Sequence, residues 1–223
     1  MKIGENQKMS RWYSKRGTGV QTKFPIKEHE EIDQLLTWFE KKRDTATSES
    51  KRYQYDRDYF FFLLGINFAF RTQDLLKLKV RDLENGNVTL RENKTGKIQH
   101  FKMHKELFNE YLEYVERNKI TRNEYLFSSQ CANGIKPVTR QQMNNRLLTA
   151  AKANKINNDL SCYTLRKTFA YQYLKNKGSI ETLRKLLNHT STSVTALYAC
   201  WDNDDIENER RTFYIGHKIK TKK

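Results

Sequence analysis

Hydrophobic residues recur at helical spacing along most of the chain. Ile32, Leu35, Leu36 and Phe39 share one face of a helix over 28–43. The polar, Ser/Thr-rich run Asp44–Lys51 predicts a loop. From Tyr53 to Phe70 the chain is aromatic and apolar nearly all round, the pattern of a central, buried helix. Arg71 follows at its end, and Thr72 is a candidate N-cap for a short helix Gln73–Leu78. The period then changes. Lys79–Leu83, Asn87–Arg91 and Ile98–Met103 read as strands, turned by Asn85-Gly86 and by Lys94-Thr95-Gly96. They predict a small three-stranded antiparallel sheet set into a helical protein, with Lys and Arg on both faces.

Helical spacing resumes with Leu107, Phe108, Tyr111, Leu112 and Val115. Thr139 is placed to cap a helix with Met143, Leu147 and Ala150 inward. Tyr163–Lys175 reads as a helix stopped by Asn176-Lys177-Gly178. Ser179 caps the next, with Ile180, Leu183, Leu186 and Leu187 inward. His189 follows its end, and Thr192–Ala199 forms a further short helix carrying Tyr198. Asp202–Arg211 is charged and helical in pattern. The fold class is therefore mainly α with a small three-stranded antiparallel β-sheet (α+β). Its organisation is a basic arm over 1–23, a folded unit over 24–215 and a basic tail over 216–223.

Composition narrows the function. The chain of 223 residues has 42 Lys and Arg against 26 Asp and Glu, a formal charge of +16, and enough apolar residues (37%) for a real core. A folded protein with that excess favours polyanionic partners, nucleic acid above all. No apolar run approaches the ~18 residues of a membrane span, and the first residues lack a signal peptide's apolar core. Cys131, Cys162 and Cys200 are scattered and odd in number, which indicates neither a disulfide framework nor a zinc site. A cytoplasmic, reducing location is expected.

The candidate chemistry lies in four ordered segments: Arg71-Thr72-Gln73-Asp74-Leu75, the turn Asn93-Lys94-Thr95-Gly96-Lys97, Tyr163-Thr164-Leu165-Arg166, and Leu187-Asn188-His189 with Tyr198 nine positions later. Arg71 at the end of a buried helix needs a partner, and Asp74 is the candidate. Tyr163 and Arg166, three apart on a helix, share a face. Asn188 suits a position of positive φ. Two arginines, a histidine and a tyrosine can hold charge on a phosphoryl group while a nucleophile attacks.

On these segments the chain resembles the catalytic domain of the tyrosine recombinase (phage integrase) family, over about 24–215, and in particular its short, single-domain members from mobile elements. The resemblance implies the tyrosine recombinase catalytic-domain fold and site-specific DNA recombination or integration. Tyr198 would attack the scissile phosphodiester to give a 3′-phosphotyrosyl intermediate and a free 5′-hydroxyl. Arg71, Arg166 and His189 would hold the phosphoryl oxygens. Lys94, with Lys97 in reserve, would protonate the leaving 5′ oxygen. Tyr163 stands where the family usually has histidine; its hydroxyl can donate to a phosphate oxygen but supplies no cation. No metal or other cofactor is implied.

The family's separate N-terminal DNA-clamping domain has no counterpart in residues 1–23. The expected partners are therefore double-stranded DNA, a DNA-bound homo-oligomer (a tetramer on recombining sites) and an accessory DNA-binding protein, with no membrane. Two rival readings are a type IB topoisomerase-like strand cleavage and resealing, and a non-catalytic or weakly active DNA-binding regulator derived from a recombinase.

Overall fold

The computed structural model describes residues 24–129, 136–156, 160–176, 178–199, 205, 207, 210 and 211. The expected arm over 1–23, the tail over 216–223, Cys131 and Cys200 lie outside the described residues, as does most of 202–211, whose described positions are helical. Among the described residues no helix is long and apolar enough to cross a membrane.

The first two helices, α1 (His29–Asp44) and α2 (Glu49–Phe68), pack against each other. The helix α2 starts inside the stretch expected to be loop, because Ser48 caps it: its hydroxyl accepts from the Lys51 amide at 3.3 Å. Such a cap contributes about 1 kcal/mol. Downstream α2 is the expected central helix, with Phe60, Phe61, Phe62 and Leu64 fully buried. It also buries charge. Asp56 accepts from Arg43 of α1 at 3.3 Å, and from Arg117 and Asn118 beyond it. Asp58 pairs with Arg57 and with Arg146. Each buried carboxylate is shared by more than one donor, the condition under which burial of charge is tolerated.

After α3 (Thr72–Leu76) the expected first strand is instead a 3-10 segment, Val80–Gly86. The Asp82 carboxylate accepts from the Lys79 amide at 2.8 Å, a local bond that competes with strand pairing. Lys79 forms only an isolated bridge, to Tyr125. Asn85 and Gly86 do take positive φ (54° and 74°), as their turn signal requires, but the turn leads out of 3-10 backbone. Among the described residues the sheet therefore has two strands, β1 (Asn87–Arg91) and β2 (Ile98–Lys102), antiparallel with Asn87 opposite Lys102 and Arg91 opposite Ile98. Val88 and Leu90 face the core, while the lysines and arginines lie outward.

The remaining helices are α4 (Lys105–Arg117), α5 (Arg140–Ala153), α6 (Cys162–Lys175), α7 (Ile180–Leu186) and α8 (Thr192–Ala199). In α4 the expected inward Leu112 is exposed, and Tyr114 is buried in its place with its hydroxyl donating to Leu126 O at 2.6 Å. In α7 Leu183 is buried, as is Leu187 just after it; Ile180 and Leu186 are exposed, since a two-turn helix seats a narrow apolar stripe. Thr139 and Ser179 cap α5 and α7 as expected, each accepting the amide three residues on.

Two apolar clusters result among the described residues. The larger runs from Ile26 to Leu165. The smaller joins Ala69, Ala170, Leu183 and Leu187 beneath Tyr198. Gly65 governs how α6 meets α2: a Cβ there would lie 2.5 Å from Leu165 Cδ1. This close approach sets the residue after Leu165 against the end of α2.

Candidate active site

That next residue is Arg166, only 2% exposed. Its helix is fixed at its start by Asn144, whose side chain accepts the Cys162 amide at 2.9 Å. The guanidinium donates to Ala69 O at 2.5 Å, to Leu187 O at 2.6 Å and to His189 Nε2 at 3.1 Å. Both carbonyls stand at left-handed turns: Ala69 has φ 54°, and Leu187 precedes Asn188, also at φ 54°. Asn188 thus has the positive φ expected of it. Arg166 Nε is buried and has no hydrogen-bond partner among the described residues. Burial pulls this guanidinium below its ordinary value, and the nearby Arg71 adds to the effect. Two cations so close favour an anion between them.

The arginine settles the tautomer of His189. A guanidinium only donates, so Nε2 must accept. The proton then sits on Nδ1, which donates to Thr195 Oγ1 at 3.2 Å, and Thr195 donates on to Ser191 O at 3.2 Å. Burial, then Arg166 and Arg71, push the imidazole down to about 4, against a smaller opposing effect of Glu92. His189 is accordingly neutral at physiological pH.

Arg71 is held otherwise than expected. It is the N-cap of α3, with extended backbone (φ −65°, ψ 143°), and its side chain turns toward the hairpin. There its Nη1 donates to Glu92 Oε2 at 2.6 Å. Asp74, the expected partner, instead accepts the Asn93 amide at 2.9 Å. Glu92 is 2% exposed and also accepts from Thr95 Oγ1 at 2.6 Å and from Gln99 Nε2 at 2.5 Å. Burial raises the Glu92 carboxyl, but the hydrogen bonds from Thr95, Gln99, Asn188 and Arg71 outweigh it and bring it down to about 2. Lys94 lies exposed on the turn that Glu92 anchors. Lys97 reaches further, its Nζ donating to Asn188 Oδ1 at 3.2 Å.

Tyr198 is half-buried on α8, seated on the smaller apolar cluster. Its ring lies 4.8 Å from the His189 ring and 5.7 Å from the Arg166 guanidinium carbon. Its hydroxyl is hydrogen-bonded to that of Tyr163 at 2.5 Å. The fold therefore gathers Tyr163, Arg166 and His189 around Tyr198, with Arg71 close enough to bias His189, and leaves Lys94 on the adjoining turn. Sequence reasoning missed Glu92 and Thr195. The first follows the end of β1 and the second sits in a Ser/Thr run, and neither carries a local signal of its role.

Comparison with known proteins gives the same stretch. The model of the Phage integrase family matches residues 27–205. The chain is 38% identical over 149 residues, 66% of its length, to a protein of Bacillus subtilis (strain 168) described as a probable integrase/recombinase, YoeC, and covers 80% of that protein. Among solved structures it is similar to XerH site-specific recombinase bound to palindromic difH substrate in a post-cleavage complex, with a TM-score of 0.65 and 18% identity, over 86% of this chain and 54% of that one. It is also similar to a lambda integrase dimer bound to a COC′ core site, with a TM-score of 0.60 and 18% identity, over 93% of this chain and 55% of that one. The chain thus spans about half the length of these solved recombinases.

Proposed function

The chain belongs to the phage integrase family, and from that premise we propose that it is a tyrosine-type site-specific recombinase that cleaves and rejoins double-stranded DNA. The observation that carries this reading is the seating of one tyrosine ring, that of Tyr198, against both a buried guanidinium and a neutral imidazole.

In the proposed reaction the Tyr198 hydroxyl oxygen attacks the scissile phosphorus. The bond to the 5′ oxygen breaks, leaving a 3′-phosphotyrosyl ester and a 5′-hydroxyl. Arg71 and Arg166 hold the non-bridging oxygens as charge builds on them; the Nε–H of Arg166, which has no hydrogen-bond partner among the described residues, is a further donor for that use. Each such donor is worth ~100–1,000-fold in rate. His189 orients Arg166 through Nε2 and is itself fixed by Thr195. Lys94 delivers a proton to the leaving oxygen, with Lys97 as the alternative donor. A 5′-hydroxyl of a second strand reverses the step, and the ester conserves the bond energy.

Residues 24–215 form the catalytic unit in this reading, acting as a DNA-bound homo-oligomer, a tetramer on recombining sites, with an accessory DNA-binding protein supplying grip. The test is incubation with nicked suicide duplexes carrying the element's own ends. A covalent protein–DNA band is expected, absent in Tyr198→Phe. Duplex binding with no band on any substrate would mean a DNA-binding regulator. Adducts irrespective of sequence, with supercoils relaxed and no strand exchange, would mean a topoisomerase.

A further inference from the structure

Asn188 does more than its backbone requires. A φ of 54° suits glycine at least as well as asparagine. The turn after α7 is closed by main-chain bonds: the Asn188 N–H donates to Lys185 O at 3.0 Å and the His189 N–H to Arg184 O at 2.9 Å. The Asn188 side chain is left for another use. Its Oδ1 accepts from Lys97 Nζ at 3.2 Å, 91 positions away in sequence, and its bond to Glu92 helps to keep that carboxyl ionised. The β1–β2 turn that it reaches is tied as a unit. The Glu92 N–H donates to Lys97 O and the Gly96 N–H to Glu92 O, both at 2.9 Å, and Thr95 Oγ1 donates to Glu92 Oε2 and accepts the Lys97 N–H. Lys94 and Lys97 therefore share one braced loop. Asp74 holds its base through the Asn93 amide. Asn188 joins it to the segment that carries His189 and, through Leu187 O, grips Arg166.

We propose that Asn188 is a positioning residue for the leaving-group proton donor. It tethers the β1–β2 turn to the His189 segment through Lys97 and Glu92, so that Lys94 meets the 5′ oxygen while the arginines hold the phosphoryl group. Lys97 is then the tether and Lys94 the donor. In cleavage a proton passes from Lys94 Nζ to the 5′ oxygen as its bond to phosphorus breaks, and the amine is left neutral. In rejoining, the amine takes that proton back from the attacking 5′-hydroxyl. Lys94 is exposed and its side chain is long, so its reach depends on where its loop is held. Fixing the loop against the phosphate-binding groups removes a search that the proton transfer would otherwise include. A single hydrogen bond to an exposed lysine contributes little to stability, but the position of a general acid is felt directly in rate.

This inference rests on the proposed recombinase chemistry, and its test separates the two. Single-turnover cleavage is measured with the full chain at saturating protein on two nicked suicide duplexes. One has the natural 5′ oxygen at the scissile phosphate and the other has sulfur in its place. A thiolate leaves without needing a proton, since thiols ionise near about 8.5, so the oxygen duplex reports the donor and the sulfur duplex does not. Asn188→Gly keeps the left-handed turn and removes the tether. It is expected to cleave the oxygen duplex about 10-fold more slowly, the scale of one or two lost hydrogen bonds, and the sulfur duplex at the wild-type rate. Lys97→Ala should behave in the same way, and the double variant should lose no more than either alone. Lys94→Ala should lose about 100-fold on oxygen and little on sulfur. Wild-type cleavage of the oxygen duplex by Asn188→Gly overturns the tether and leaves the recombinase reading standing, as does an equal loss on both duplexes. A Lys97→Ala loss as large as that of Lys94→Ala also overturns it, because Lys97 is then a donor. No adduct with the wild-type chain on either duplex overturns both.

Discussion

His189 is the residue on which the electrostatics of the site turn. It lies beside two guanidiniums, and its neutral form suits that place because Arg166 needs an acceptor at Nε2. Its value in the folded chain, about 4, lies below the ordinary 6.5, so the unfolded chain binds the extra proton first. Stability from this group is complete above about pH 6.5 and is lost as pH falls toward 4. Glu92 acts in the same direction lower down: its stabilising contribution, present above its ordinary 4.5, is lost as pH falls toward 2. Urea unfolding at pH 7, 5.5 and 4.5 should show a decline on the order of 2 kcal/mol over that range from His189. His189→Gln should flatten it, and an unchanged slope in that variant would place the loss elsewhere. At this scale the sequence was readable where the signal is local. Tyr163 and Arg166 share a helix face three residues apart, His189 and Tyr198 were legible through the family resemblance at a separation of nine, and Asn188 signalled its own left-handed backbone. The Arg71–Glu92 pair was not readable. Its members are 21 residues apart and meet only because the hairpin folds back on α3.

The β1–β2 hairpin is the element that gathers the site. Through Glu92 it holds Arg71, through Asn93 it is held by Asp74, and through Lys97 it reaches the His189 loop. Removing the carboxylate leaves Arg71 without this partner and Thr95 and Gln99 without their acceptor. Glu92→Ala should therefore destabilise the protein by about 3–5 kcal/mol, the range for breaking a buried ion pair. Glu92→Gln, which keeps the acceptor oxygen, should cost less. Denaturant titration of both variants checks the order, and equal losses would contradict it, assigning the whole effect to the lost charge and none to the retained acceptor oxygen. The sequence signalled this hairpin through its turn residues and its alternation. It also suggested a strand before it that does not form, because Asp82 bonds the Lys79 amide and satisfies locally what a strand would satisfy across a ladder. Alternation alone does not report that competition.

For the molecule as a whole, charge and core divide the labour. The apolar clusters and the buried Asp56 and Asp58 networks tie the helices together. Asp205 accepts from Lys27 Nζ at 2.7 Å and from Tyr171 at 2.6 Å, so the end of the family-matched stretch returns beside its beginning. The net charge of +16 favours a polyanionic partner. Duplex affinity should fall linearly in log–log form with salt, with a slope near −0.9 for each phosphate neutralised. A flat response by filter binding or anisotropy between 50 and 200 mM salt would contradict electrostatic docking on DNA. Helix order and fold class were legible because long amphipathic stretches dominate the chain. Which face of a short helix such as α7 is covered was not, since that depends on the neighbours that happen to pack there.

The most direct measurement is the chemical identity of the residue that carries DNA. The full chain is trapped on a nicked suicide duplex, digested with nuclease and protease, and the nucleotide-bearing peptide is sequenced by mass spectrometry. A single 3′-phosphotyrosyl nucleotide on Tyr198 is expected, at the wild-type mass in Lys94→Ala and absent in Tyr198→Phe. A nucleotide on Tyr163, on a serine, or on any peptide that persists in Tyr198→Phe would contradict it.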